Sequence, residues 1–346
     1  MDVRVVAAFE VNLPAEESAV TQPKVSVMVM THNHARYAAQ TIESALQQKT
    51  TFPFEVVIGE DASTDGTREI VARYQRQAPD IVRPLFREKN FGVTRNTACT
   101  FEACKGKYIA MLDGDDFWTD AGKLEIQAAL LDAHPETALC GHRAALLLEP
   151  EGWTGGVPYH LAKGYYPDLP AGVYGIQDLI HSDFLPTSSV MFRNGLFPRF
   201  PEWFFDLLVV QDVPLFLLSA RYGNIALLSE IMSTYRLHGK SLFAGRDRDF
   251  QLREAARTFE TLYANFDEEY RPLIGAKLFE VTYDLSRKLL DKGSIEEGGR
   301  YCRRCLSLPP PAARLGRKAI VGMQAYAPWL YRLLIAAKRA AGQVRA

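Results

Sequence analysis

Three carboxylates stand within four residues at Asp113-Gly114-Asp115-Asp116. Acids this close repel one another unless a cation or solvent compensates. A strand running into this segment would place Asp113 and Asp115 on one side, because side chains alternate along a strand. Two hard oxygen ligands on one side suit Mn²⁺ or Mg²⁺, which also take oxygens from a diphosphate. A second acidic group is Glu60-Asp61-Ala62-Ser63-Thr64-Asp65-Gly66-Thr67. Ser63 or Asp65 would cap a following helix, with Gly66 making the turn. Neither role accounts for Asp61, whose carboxylate could accept a hydrogen bond from a base imide N–H. A third polar group is Thr31-His32-Asn33. There His32 could lie against a nucleobase and Asn33 could hold the loop. Farther along, Asp212 stands where the pattern predicts a helix start, and an acid there is stabilising as a cap. His238 follows a strand among Arg236, Lys240 and Ser241, a group able to hold an anionic diphosphate.

These residues need elements to position them. Val25 to Met30, Phe54 to Ile58, Val82 to Phe86 (interrupted by Pro84) and Tyr108 to Leu112 read as strands. Ala38 to Gln48, Thr67 to Gln77 and Asn96 to Cys104 read as helices, the last ended by Lys105-Gly106 as a glycine cap. Alternation at this spacing predicts βαβ units and a mainly parallel sheet. Ligands of such sheets bind beyond the carboxyl ends of the strands. Thr31-His32-Asn33, Glu60-Asp61 and Asp113-Gly114-Asp115-Asp116 all follow strands, so three polar strand ends should meet at one edge. Farther on, Ser188 to Phe192 reads as a strand and Asp212 to Tyr222 as a helix. Ile225 to Ser229 and Met232 to Arg236 read as two short strands. Gly and Pro between Glu149 and Gly175 predict long loops. After Asp247 the pattern is helical, apart from Ser307 to Pro311.

The bulk numbers narrow the function. The 346 residues are 47% hydrophobic and 23% charged, as in an ordinary globular protein. A net charge of −1 gives no field to gather nucleic acid, and none is expected as a partner. The charge is uneven. Gly298 to Ala346 holds ten Arg and Lys and no acid, leaving about −11 for the preceding residues. Five cysteines without a framework fit a reducing compartment, and Cys302-x-x-Cys305 reads as two incidental thiols. The N-terminus shows no secretory pattern and no run long enough to span a bilayer, so a cytoplasmic location is expected. Between Trp329 and Arg339, Leu330, Leu333, Leu334 and Ala337 share a helical face opposite Arg332 and Arg339. Residues 310–346 are thus either a helix lying on the inner face of a membrane or one packed on the protein itself.

The ordered motifs resemble family 2 inverting glycosyltransferases of the GT-A fold. Val25-Ser26-Val27-Met28-Val29-Met30-Thr31-His32-Asn33 is similar to that family's opening strand, with His32 in place of its usual aromatic. Glu60-Asp61-Ala62-Ser63-Thr64-Asp65-Gly66-Thr67 resembles its Asp-Asp-x-Ser-x-Asp-Gly-Thr segment. Asn90-Phe91-Gly92 and Arg95-Asn96 resemble its Asn-x-Gly and Arg-Asn elements. Lys107 to Trp118 resembles the strand that carries its metal motif. The likeness covers 24–142 and, in outline, 184–243.

The resemblance implies a GT-A type mixed, mainly parallel sheet flanked by helices, with a helical C-terminal region. Taken with the residue pattern at both ends, it divides the chain into a leader (1–23), a nucleotide-sugar half (24–145), an acceptor half (146–245) and a helical region with a basic tail (246–346). Thr31, His32, Asn33, Asp61, Arg95, Asp113 and Gly114 would bind the donor, a UDP-sugar. Asp61 would meet the base, and Asp113 the ribose or a metal-bound water. Asp115, with Asp113 and His238, would hold Mn²⁺ or Mg²⁺. Asp212 matches the general base, although Gln211 replaces the first acid of that family's usual pair. The acceptor would be a glycan or a lipid-linked saccharide in cell-surface polysaccharide or glycan synthesis. Two other readings remain open on the sequence. One is a nucleotidyltransferase, although the loop Thr31 to Arg36 lacks the expected glycine-rich pattern. The other is a sugar-nucleotide-binding protein without turnover.

Overall fold

A computed structural model describes residues 22–149, 165–309, 321–322 and 324–326. The leader for the most part, and the basic tail beyond 309 except for those five positions, lie outside the described residues. The first half alternates strand and helix: β1 (Val25–Thr31), α1 (Ala38–Leu46), β2 (Phe54–Glu60), α2 (Thr67–Gln77), β3 (Val82–Phe86), α3 (Val93–Ala103) and β4 (Tyr108–Asp113). Then come β5 (Phe117–Trp118), α4 (Lys123–Ala133), β6 (Thr137–Leu148), β7 (Tyr165–Tyr166), β8 (Gly172–Tyr174) and α5 (Ile176–His181). After a 3-10 turn at Thr187–Ser189 follow β9 (Met191–Arg193), α6 (Asp212–Ala220) and β10 (Asn224–Leu237). The chain continues through α7 (Arg248–Asn265), α8 (Arg271–Asp291) and α9 (Ile295–Leu306).

One mixed sheet runs in the order β3-β2-β1-β4-β9-β6-β10-β5, with β7 on β6 and β8 on β10. The first four strands are parallel. β9 is antiparallel to both β4 and β6. This is the expected architecture: a mainly parallel sheet, helices on both faces, and a helical C-terminal region.

Alternation within β1 explains how both faces are covered. Val25, Val27 and Val29 pack with Ile42, Val71, Leu124 and Leu131 of α1, α2 and α4. Met28 and Met30 face the other way, into a cluster with Phe101 of α3 and Phe216 of α6. Every residue of β1 is buried, which explains its continuous apolar run. Phe259 and Leu262 of α7 and Leu278 and Phe279 of α8 belong to that second cluster. The C-terminal helices therefore share the sheet's core.

Several details differ from the sequence reading. β3 is continuous through Pro84, because it is an end strand pairing only β2, and an edge tolerates the missing N–H. Helix α3 begins earlier, at Val93, and its cap at Cys104 is extended rather than left-handed. Gly106 is required for another reason. A Cβ there would lie 2.5 Å from the Ser26 nitrogen. The expected strand at 188–192 is a 3-10 turn followed by the shorter β9. The two short strands after Ile225 are one, β10, with register shifts between Leu227 and Ser233. Helix α4 and strand β6 were not anticipated.

Candidate active site

The ends of β2, β1 and β4 lie side by side. Thr31 is in register with Glu60, and Met30 with Asp113. The three polar strand ends thus meet at one edge.

Thr31-His32-Asn33 and the segment after β2 are tied together. The Asn33 N–H donates to Ser63 Oγ at 2.9 Å, and Asn33 Oδ1 accepts the Thr64 N–H at 2.9 Å. Asn33 and Ala62 both take left-handed backbone angles to allow this (φ 56° and 55°). His32 Nδ1 lies 2.7 Å from the Asp61 carbonyl, so this nitrogen carries the proton. Nε2 then accepts from Asn33 and Asn90, each at 3.1 Å. These contacts fix the orientation of the ring. The Asp61 carboxylate accepts the backbone N–H groups of Phe91 and Gly92 at 2.7 and 3.0 Å. It therefore pins the Asn90-Phe91-Gly92 loop beside His32, and each oxygen keeps a lone pair. Arg95 is exposed, its guanidinium 5.3 Å from the Phe205 ring centre.

Beyond β4 the chain turns so that the Gly114 N–H donates to the Met30 carbonyl at 2.8 Å. A Cβ on Gly114 would lie 2.6 Å from His34 Nδ1 and 2.7 Å from the Thr31 side chain. The three acids part ways here. Asp116 is 2% exposed, and its Oδ1 accepts the Arg236 N–H at 2.9 Å. Asp115 Oδ2 lies 3.1 Å from His238 Nε2 and 3.9 Å from His34 Nε2. His238 Nδ1 accepts the Lys240 N–H at 3.2 Å, which places the ring proton on Nε2, facing Asp115. Arg236 is 4% exposed, and its guanidinium donates to the Asp115 carbonyl and to Gln40. It braces the acid turn and is not open to a ligand, unlike the role its neighbourhood suggested.

Asp212 enters from the other half. Its Oδ2 accepts from Thr187 Oγ1 at 3.2 Å, and its Oδ1 from the Val213 N–H at 2.9 Å. Thr187 also stands near Asp113 and favours its ionised form, against the burial. Gln211, in the position of the missing acid, is 5% exposed and turned inward. Electrostatics follow from this crowding. Burial, then the charges of Asp115 and Asp212, push Asp113 well above the usual carboxylate range. Burial, then Asp115 and Asp113, do the same to Asp116. Burial also raises Asp212, against the Val213 N–H and Thr187. Burial acts on Asp115 too, but His34 and His238 outweigh it and hold that carboxyl below its ordinary value.

Asp183, Tyr235, Thr187, His34 and Glu149 were not singled out in the sequence. Each is an ordinary residue brought in by tertiary structure. Asp183 stands at the rim, open to solvent yet crowded by protein. That crowding, and then Asp212, push its carboxyl up to about 7, with the Leu185 N–H and Lys277 limiting the rise. Burial, then Asp116, Asp115, Asp113 and Asp212, raise the Tyr235 hydroxyl, which therefore lies among the acids.

The donor set can be tested against a divalent cation. Asp113 and Asp115 offer hard oxygens, and their mutual repulsion is what a cation would relieve. Among the described residues no three His, Cys, Asp or Glu side chains are grouped to hold a metal unaided. The residues fit a cation that takes its other ligands from a bound diphosphate. Among the described residues no helix is long and apolar enough to cross a membrane. Cys302 and Cys305 are buried free thiols.

Comparison with known proteins agrees with this geometry. Residues 26–183 match the family described as Glycosyl transferase family 2. An uncharacterized protein of Mycobacterium tuberculosis is 32% identical over 219 residues, 63% of this chain and 60% of that protein. The chain thus spans about 60% of the length of that relative. The solved structure of Staphylococcus aureus TarS (residues 1–349) in complex with UDP-GlcNAc is similar with a TM-score of 0.59 and 20% identity, covering 93% of each chain. A Pyrobaculum calidifontis mannosyltransferase, solved with GDP-Man and Mn²⁺, gives a TM-score of 0.55 and 15% identity, covering 92% of this chain and 88% of that one. These likenesses show the GT-A type of fold.

Proposed function

We propose, from the premise that residues 26–183 belong to glycosyl transferase family 2, that the chain moves a sugar from a nucleoside-diphosphate sugar to an acceptor hydroxyl with inversion. The observation that carries this reading is the convergence of Asp113, at the end of β4, and Asp212, at the start of α6, beside Thr187, whose hydroxyl donates to Asp212. A cation-binding carboxylate turn and a separate carboxylate base then face one cleft from two halves of the sheet. The nucleotide-binding half is 24–145 and the acceptor half 146–245.

The donor is taken as a UDP-sugar, supported by the UDP-GlcNAc bound in the similar TarS structure. Its base would lie beside His32 and the loop pinned by Asp61, with Thr31, Asn33 and Gly114 shaping the floor and Arg95 the rim. Asp113 would meet the ribose or a metal-bound water. Asp115, with Asp113, would hold Mn²⁺ or Mg²⁺, and His238 would orient Asp115 and the diphosphate. When bound, that cation would neutralise charge on the leaving diphosphate. Asp212 takes the proton of the acceptor hydroxyl as its oxygen bonds the anomeric carbon. The bond from that carbon to the diphosphate breaks, and its electron pair leaves with the nucleotide. The acceptor is placed among glycans or lipid-linked saccharides of cell-surface polysaccharides. A teichuronic acid biosynthesis glycosyltransferase of Bacillus subtilis, 38% identical over 108 residues, supports that class.

The test is calorimetric binding of UDP, GDP, dTDP and CMP with and without Mn²⁺. Metal-dependent binding of one diphosphate is expected, UDP foremost. No binding to a folded protein would overturn the reading.

A further inference from the structure

Glu149 follows the last residue of β6, and its N–H donates to the Leu237 carbonyl at 2.9 Å. Its side chain gathers three groups from two elements. Oε2 accepts the Tyr37 hydroxyl at 2.9 Å and lies 3.1 Å from Arg36. Oε1 lies 3.5 Å from Arg236 Nε. Tyr37 in turn packs its ring against His238, with centroids 4.8 Å apart. The Arg236 guanidinium sits between the rings of Tyr37 and Phe117, at 4.8 and 4.6 Å.

The charges give this cluster its meaning. A buried guanidinium must be paired, or it is strongly destabilising. The other acids beside Arg236 are Asp115, whose backbone carbonyl the guanidinium engages, and Asp116, whose carboxylate accepts the Arg236 backbone N–H. Without Glu149, the positive charge of Arg236 would fall to Asp115 and Asp116. It would then oppose a cation for the same carboxylate. With Glu149 in place, the arginine can brace the turn while Asp115 stays available.

We propose that Glu149 is a positioning residue of this site: it neutralises Arg236, so that the arginine supports the Asp115 turn without competing for its carboxylate. The inference rests on the proposed nucleotide-sugar reading. Arg236, His238 and Asp115 are joined through it to the loop that follows β1.

The test is calorimetric UDP binding to the full chain, with and without Mn²⁺, alongside thermal melting. Glu149→Gln should lower Mn²⁺-dependent UDP affinity by about tenfold or more. Metal-free affinity should hold, and Glu149→Asp should recover most of the loss. Equal loss with and without Mn²⁺ would make Glu149 merely structural, and wild-type-like affinity would remove its role. Should Glu149→Gln not fold, Tyr37→Phe deletes one partner and keeps the ring. A smaller loss confined to the Mn²⁺ arm is expected there, and no loss would overturn the proposal. If wild type binds no nucleotide with Mn²⁺, the functional reading falls and this inference with it. If wild type binds and the variants match it, only the inference falls.

Discussion

The Asp116 carboxylate accepts the backbone N–H of Arg236 at 2.9 Å across 120 residues of chain. The Asp116 carbonyl accepts the Thr41 hydroxyl at 2.7 Å. Asp116 is thus a strut between the end of β4, α1 and β10, whereas the carboxylate of Asp115, the preceding residue of the same turn, faces His238 and His34. Asp116→Ala should cost about 1–3 kcal/mol, because it leaves a buried N–H unpaired. Relief of repulsion with Asp113 and Asp115 offsets part of that. Asp115→Asn should lose less stability than Asp116→Ala, from the weakened contact with His238, and should lose Mn²⁺-dependent nucleotide affinity. Thermal melts paired with calorimetry check both, and equal melting temperatures would deny Asp116 its role.

Legibility in the sequence followed physical range. β1, β2, α2 and β4 were visible because burial on both faces, or a single apolar stripe, is written locally. The convergence of Thr31, Asp61 and Asp113 was visible because parallel strands deliver their ends to one edge. β10 was read as two strands because Ser229, Glu230 and Ile231 are exposed at its irregular middle. The contacts of Glu149 with Tyr37 and of Asp115 with His238 span 112 and 123 residues. No local pattern encodes such pairs. The inward turn of Gln211 and the burial of Arg236 are likewise set by packing, so a polar residue near a motif does not announce whether it faces a ligand.

Gly114→Ala tests how tightly the turn is built. The added methyl would meet His34 Nδ1 at 2.6 Å and Thr31 at 2.7 Å. Thr31 ends a central strand and has little room to yield. Overpacking of this kind costs about 1–3 kcal/mol. A lowered melting temperature and lost UDP affinity are expected. Normal UDP affinity would mean that the loop after β1 gives way easily.

Lys123 gives a prediction independent of function. It is fully buried, donates to Gln127 Oε1 at 2.6 Å and lies over the Trp118 ring at 4.2 Å. Burial pushes its amine down to about 7 from 10.5, with Cys140 opposing. The unfolded chain therefore takes up this proton at higher pH than the folded one. Lys123 imposes no proton-linked penalty above 10.5. The penalty grows as pH falls toward 7 and is constant below. The stability of Lys123→Met relative to wild type should rise by at most about 1.4 kcal/mol per unit between pH 10 and 7. Urea unfolding at each pH measures it, and a flat difference would show that Lys123 stays charged in the fold.

Asp212 can act as a base only when ionised, and its surroundings work against ionisation. Burial raises its carboxyl above the ordinary 3.8, with the Val213 N–H and Thr187 hydroxyl limiting the rise. Turnover of a UDP-sugar should therefore fall on the acid side at a pH above the usual aspartate range. Asp212→Asn keeps the shape of the side chain and removes the proton acceptor. It should lower turnover by about 10²- to 10⁴-fold and leave Mn²⁺-dependent UDP affinity intact. Thr187→Val should move the acid limb further up, because it deletes a hydrogen bond that favours the ionised form. Initial rates across pH 5 to 9 measure all three proteins. Wild-type-like turnover by Asp212→Asn would assign the base to another cleft carboxylate, with Asp183 at the rim the next to replace.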